Sequence, residues 1–262
     1  MRTRGMARAL GLGLALLMLV SAAGLAAAEK VTDLSGLEGK VFAVPAGTVA
    51  DRLVLSRYPG VTFLYFGSAL EAALAVQQGL ADAAAYDEPI LRNIAAKNPG
   101  LTVLPGLITA DDYGFAVQPG RQDLKDAIDK VVNDLKASGK YDEMLGRWLP
   151  AEGEPGAMPE AALPGGSGTL RFGTAAVTEP FSFLDAQQRV VGLDVELAAL
   201  VAQELGMGLE IVNMDFGVMI PALIAGEVDM IGACITITPE RAAQVLFSEP
   251  YYTGGIAALV RK

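Results

Sequence analysis

Short apolar runs alternate with helical patterns on both sides of a Pro/Gly-rich stretch, and a chain patterned that way folds into layered α/β architecture. Residues 40–44 read as a buried strand, after which Gly47-Thr48 opens a helix. Residues 62–66 are a second strand, and 69–78 an amphipathic helix closed by Gly79. Residues 81–86 form a third strand, followed by Asp87-Glu88-Pro89 and another helix. A strand at 114–117 precedes a helix over 124–135, where Leu124, Ile128, Val131 and Leu135 share one face; Gly139 ends it and 141–148 continues helical. Further on, strands are expected at 170–173, 209–213 and 228–232. Helices are expected at 194–205, at 218–225 and from Thr238-Pro239, and the chain closes with an extended run at 251–261.

The stretch 150–168 holds four prolines, five glycines and no β-branched residue, which marks a linker. On each side of it a helix ends in Gly and leads through two residues to Asp and a strand. These are Gly79-Leu80-Ala81-Asp82 and Gly226-Glu227-Val228-Asp229. The pattern is a weak internal repeat, consistent with two related lobes. A chain of 262 residues, 52% hydrophobic and 19% charged, has material for two cores.

Arg2, Arg4 and Arg8 precede an apolar run over 9–20, and small residues follow to Ala26-Ala27-Ala28. This reads as a secretory signal over 1–28, too short for a membrane span, with no cysteine after the cut to take a lipid. The expected location is periplasmic or secreted. Cys234 is the only cysteine, so no intrachain disulfide is available. With no histidine, Ser-His-Asp and Cys-His catalysis are excluded and zinc lacks its usual ligands. A net charge of −10 argues against nucleic acid as a partner. No cofactor and no metal are expected.

Four places carry candidate chemistry. Thr238 suits an N-cap with Pro239 in the first turn, which leaves Arg241 at a helix start where the dipole disfavours a cation. An arginine there suits a carboxylate ligand; the alternative is a surface arginine paired with Glu240 or Asp229. The turn at Gly47-Thr48 is either an anion cradle or a plain strand-to-helix turn capped by Thr48. Asp87, at the end of a strand, can hold an ammonium group with Tyr86 as an aromatic wall, or cap the helix begun at Pro89. Phe216 is a ligand platform or core. Together they form a recognition set for a zwitterion, with no evident nucleophile or general base.

Several motifs extend this reading. They are Pro180-Phe181-Ser182-Phe183, the run Val191-Gly192-Leu193-Asp194-Val195-Glu196-Leu197-Ala198, Ile220-Pro221-Ala222-Leu223, the stretch 236–241, and Phe247-Ser248-Glu249-Pro250-Tyr251-Tyr252. In combination they resemble the first lobe of the polar amino-acid solute-binding proteins of ABC transporters. Leu37-Glu38-Gly39-Lys40-Val41 through Gly47-Thr48 to Asp82 and Asp87 resembles that family's second lobe. Asp112-Tyr113-Gly114 resembles the return into the first lobe, and 135–148 the family's C-terminal helices.

The resemblance implies an α/β, two-lobed periplasmic-binding-protein-like fold, each lobe a sheet flanked by helices, with the ligand cleft between them. By position, Arg241 corresponds to the carboxylate-binding arginine, Cys234 and Thr236 to backbone and hydroxyl contacts, and Phe216 to the aromatic wall. Gly47, Thr48 and Val49 match the second-lobe loop, Asp87 the amine-binding acid and Tyr86 a side-chain contact. Ala175, Thr178 and Pro45 stand where many members carry an acid, an aromatic or a polar group, which argues against a cationic or strongly polar ligand side chain.

The lobes come in inverted order. The expected divisions are 31–108 for the second lobe, 109–149 for the return, 150–168 for the linker and 169–262 for the first lobe. Circular permutation is the economical explanation, a truncated tandem protein the alternative. Permutation predicts one covalent crossing, near 108–113, and adjacent ends near Val31 and Lys262. The implied activity is capture of an amino-acid-like solute by hinge closure, as a monomer, for an ABC transporter permease. The other function classes are a sensory module for a membrane kinase and a dehydratase-like enzyme using Glu179.

Overall fold

The computed structural model describes residues 30–150, 154–159 and 168–262; the expected signal segment, 1–28, lies outside them. In chain order, β1 (Val41–Pro45), α1 (Ala50–Arg57), β2 (Thr62–Phe66), α2 (Ala69–Gln77), β3 (Ala83–Asp87), α3 (Glu88–Lys97) and β4 (Leu101–Val103) build one lobe. After β5 (Asp111–Tyr113) come β6 (Ala116–Val117), α4 (Gln122–Ser138) and α5 (Lys140–Trp148). Then follow β7 (Thr169–Thr174), β8 (Val177–Thr178), β9 (Ser182–Leu184), β10 (Val190–Val191), α6 (Leu193–Glu204) and β11 (Gly208–Asn213). The chain ends with α7 (Met219–Ala225), β12 (Met230–Ile231), α8 (Pro239–Ala242), β13 (Leu246–Phe247), β14 (Tyr252–Gly254) and β15 (Ile256–Arg261).

The two main sheets have the same plan. One runs β2-β1-β3-β15-β4 and the other β11-β7-β12-β6-β13. In each, three parallel strands are followed by a strand that arrives from the far side of the molecule and pairs antiparallel. The repeat seen in the sequence is real in three dimensions. Asp82 Oδ2 accepts from Val41 N at 2.9 Å, and Asp229 Oδ2 accepts from Arg171 N at 2.9 Å. Each aspartate thereby ties the start of its own strand to the start of the lobe's first strand.

Burial follows the pattern. The residues Phe42, Ala43 and Val44 of β1, the alanines of β3 and Ile256 to Val260 of β15 are buried, as expected for strands covered on both faces. The small residues of β3 let α2 pack through Ala72, Ala73 and Val76. Helix α4 buries Leu124, Ile128, Val131 and Val132 along one stripe and ends at Gly139, whose φ of 77° favours glycine.

Two expectations need correction. Strand β15 belongs to the sheet of β1–β4, so the segment 169–262 is not all first lobe. The chain therefore crosses twice, and the crossings β5 and β14 pair antiparallel as a two-stranded ribbon. The single-crossing expectation failed because it stopped the first lobe at the chain end, whereas the lobe stops at Tyr252. At the two ends, Lys262 N donates to Gly100 O at 2.9 Å, and Leu34 accepts from the Tyr58 hydroxyl at 2.9 Å. Within 154–159, Met158 packs on the core and Gly156 N donates to Arg147 O at 2.8 Å.

Candidate functional site between the lobes

The carboxyl ends of the parallel strands of both sheets deliver the predicted residues, as expected for ligand sites on open α/β sheets. Strand β1 leads to Gly47, β3 ends at Asp87, β11 leads to Phe216, and β12 leads to Cys234 and Thr236.

Arg241 is buried, with 9% of its surface exposed, and Thr238 caps its helix by accepting from Arg241 N at 3.3 Å. Its guanidinium donates to Thr236 O at 3.0 Å and lies 5.5 Å from the Phe216 ring centre. The surface-pair alternative is excluded: Glu240 pairs with Arg52 and Asp229 with Arg171. No carboxylate among the described residues forms an ion pair with Arg241. Burial pulls its pKa below the ordinary value.

A cavity of about 220 Å³ opens at this guanidinium, lined by Gly47, Phe216, Gly217, Ile220, Ile235 and Arg241 among others. It bridges the lobes. A Cβ on Gly47 would sit 3.1 Å from Gly217 Cα, and φ of 76° at Gly47 already selects against side chains. The ion pairs Arg52–Glu240 and Lys97–Glu179 also cross between lobes. The latter engages the one acid that an enzymatic reading would have used.

Asp87 occupies the N-cap position of α3, but its side chain makes no capping hydrogen bond. It is 4% exposed, accepts a hydrogen bond from the Tyr113 hydroxyl and meets Cys234 Sγ at 3.9 Å. Burial pushes its pKa up to about 7, Tyr113 pulls the other way, and Asp111 adds to the rise. Asp87 is not among the residues lining the cavity, but the charge of Arg241 acts on Asp87, Tyr86 and Cys234. Tyr86 is buried, which raises its pKa well above the ordinary value, with Cys234 and Asp87 adding to it.

Thr48 spends its hydroxyl locally, donating to Pro45 O at 2.8 Å and accepting from Ala50 N at 3.4 Å. Any ligand contact there falls to the backbone of 47–49. Val49 is buried at the start of α1. The structure thus gathers Gly47, Phe216 and Arg241 on one cavity and packs Asp87, Tyr86, Cys234 and Thr236 beside them.

Sequence reasoning missed two participants. Tyr113 was read only as part of a crossing, although its phenol is the hydrogen-bond partner of Asp87. Asp194 stands in the sequence analysis only as the start of a helix within a family-like motif, yet its Oδ2 accepts from Cys234 N at 2.8 Å. Neither pairing leaves a local sequence signal.

Residues 170–262 match the family model of bacterial extracellular solute-binding proteins, family 3. A putative ABC transporter arginine-binding protein 2 from Escherichia coli (strain K12) is 42% identical over 84 residues, 32% of this chain and 35% of that protein. The arginine-binding extracellular protein ArtP of Bacillus subtilis (strain 168) is 39% identical over 97 residues, 37% of this chain and 38% of that protein. Among solved structures, the arginine-bound domain 1 of TmArgBP is 41% identical, covering 36% of this chain and 80% of that one, with a TM-score of 0.32. The chain spans 35% and 38% of the length of those two curated relatives.

Proposed function

Residues 170–262 of this chain belong to the bacterial extracellular solute-binding proteins, family 3, and from that premise we propose that the protein captures a small amino-acid-like zwitterion in the cleft between its lobes. The observation that carries the reading is Arg241. A buried guanidinium without a carboxylate partner is costly unless an anion completes it. A ligand carboxylate completes it with charge-assisted hydrogen bonds, above the Phe216 ring. The ligand's ammonium turns to Asp87, which brings the second lobe into the complex.

Binding then favours the closed arrangement because the two charged groups sit on different lobes, and the β5–β14 ribbon is the hinge. The cavity lining mixes apolar residues with Arg241 and Gln244 and holds no acid, which favours a ligand side chain that is not cationic. The chain acts as an exported, monomeric binding protein, with residues 1–28 as its export signal and an ABC transporter permease as its partner. The lobe order is a circular permutation of the family's order, a reading supported by the family match at 170–262 following four strands of the other lobe at 41–103, whose sheet β15 then completes.

A thermal-shift screen against the proteinogenic amino acids tests this. A ligand specific to the folded state raises Tm, and Arg241→Ala abolishes that rise. A rise that survives Arg241→Ala removes Arg241 from the site.

A further inference from the structure

We propose that Asp194 is a positioning residue of the cleft: its buried carboxylate holds the backbone of Cys234 in the left-handed conformation that presents residues 234–236 to Arg241 and Asp87. The inference rests on the proposed ligand site and deepens it.

Cys234 has φ of 47°, a region that residues with a Cβ rarely occupy and that persists only where surroundings enforce it. The enforcing contact is the 2.8 Å hydrogen bond from Cys234 N to Asp194 Oδ2. Such a bond to a carboxylate is among the stronger ones available. Asp194 is fully buried; burial raises its carboxyl's pKa and the Tyr251 hydroxyl beside it pulls the other way, but neither that hydroxyl nor the second Asp194 oxygen has a well-formed hydrogen bond among the described residues. No cation pairs with Asp194 among the described residues; Glu196, the other acid in the first turn of α6, pairs with Arg147. An acid kept for stability alone would be expected to have a cation or a full set of donors. This one has one well-formed donor, the backbone amide of the residue whose conformation sets the cleft wall. On the other side of that residue the Cys234 thiol meets Asp87 at 3.9 Å, and two residues on Thr236 O receives the Arg241 guanidinium.

The lone cysteine makes the test direct, because protein labelled with 15N-cysteine has one backbone amide resonance to follow. Asp194→Asn is expected to move that resonance upfield and to weaken binding of L-glutamine and L-arginine, measured by calorimetry, by about tenfold or more. Its ligand-free Tm should hold or rise. Cys234→Gly added to Asp194→Asn is expected to recover part of the affinity, since glycine takes a positive φ without cost. In the otherwise unaltered chain, which does not depend on Asp194→Asn folding, Cys234→Gly should have a higher ligand-free Tm than Cys234→Ala, since both lose the buried thiol and only glycine relieves the positive φ. An unmoved cysteine resonance in Asp194→Asn overturns the assignment. So does an affinity loss that tracks a fall in Tm and is not recovered by Cys234→Gly, or a Tm for Cys234→Gly at or below that of Cys234→Ala. If the unaltered protein binds neither amino acid, the functional reading fails, while the resonance and Tm arms still decide the role of Asp194.

Discussion

The Arg241 guanidinium lies 5.5 Å from the centre of the Phe216 ring and donates to the Thr236 carbonyl, so the aromatic face and the backbone fix its position before any ligand arrives. Such an arrangement leaves the remaining N–H groups for an incoming anion. It also removes the conformational cost of ordering a long side chain at the moment of binding.

Arg241→Ala should cost about 2–4 kcal/mol of ligand binding, roughly a 30- to 700-fold rise in Kd. Because the lost charge is buried and has no carboxylate partner among the described residues, ligand-free stability should be unchanged or higher. Calorimetry and thermal melts check both parts.

Phe216→Ala should weaken binding by about 1–2 kcal/mol, the scale of a partly desolvated cation–π contact plus lost packing. Phe216 is half-buried, so its ligand-free Tm should fall less than that of Phe172→Ala, which empties a fully buried site at a cost of about 3–5 kcal/mol. Phe216→Trp should retain binding.

Burial raises Asp87 and Asp194 from 3.8 to about 7, so the folded state holds more protons than the unfolded state between those values. Ligand-free stability from these two groups is full below pH 3.8 and is lost as pH rises through about 7. Ligand binding should run the other way. An ammonium needs ionised Asp87, so Kd should rise up to about tenfold per unit as pH falls below 7. Asp87→Asn should flatten that slope in calorimetry run from pH 5 to 8.

Much of the fold was legible in local pattern. The apolar run at 62–66 is β2 as read, and α2, α5, α6 and α7 fall within a residue or two of their expected bounds. The meander of β8, β9 and β10 was not, because strands of two or three residues carry no periodicity. The sheet that β15 joins was illegible for a different reason: its composition says buried strand, while its neighbours β3 and β4 are chosen by chain topology. In the site, Arg241 declared itself by an unusual charge at a helix start. Cys234 held by Asp194 did not, because the deciding hydrogen bond spans forty residues.

Gly47 faces Gly217 across the cleft, where an added Cβ would meet the Gly217 Cα at 3.1 Å and force the backbones to give. Gly47→Ala should therefore push the lobes apart and strain the turn, lowering affinity by about tenfold and lowering Tm by about a few degrees. Small-angle scattering of the variant with saturating ligand should report a larger radius of gyration than the unaltered protein.

The central claim is that Arg241 and Asp87 hold opposite ends of one ligand. The most direct measurement is calorimetry with the amino acid giving the largest thermal shift, its carboxamide and its des-amino analogue, against the unaltered protein, Arg241→Ala and Asp87→Asn. The carboxamide should lose affinity on the unaltered protein and on Asp87→Asn but not further on Arg241→Ala, and the des-amino analogue should show the mirror pattern. Equal losses for both analogues on all three proteins would contradict the account.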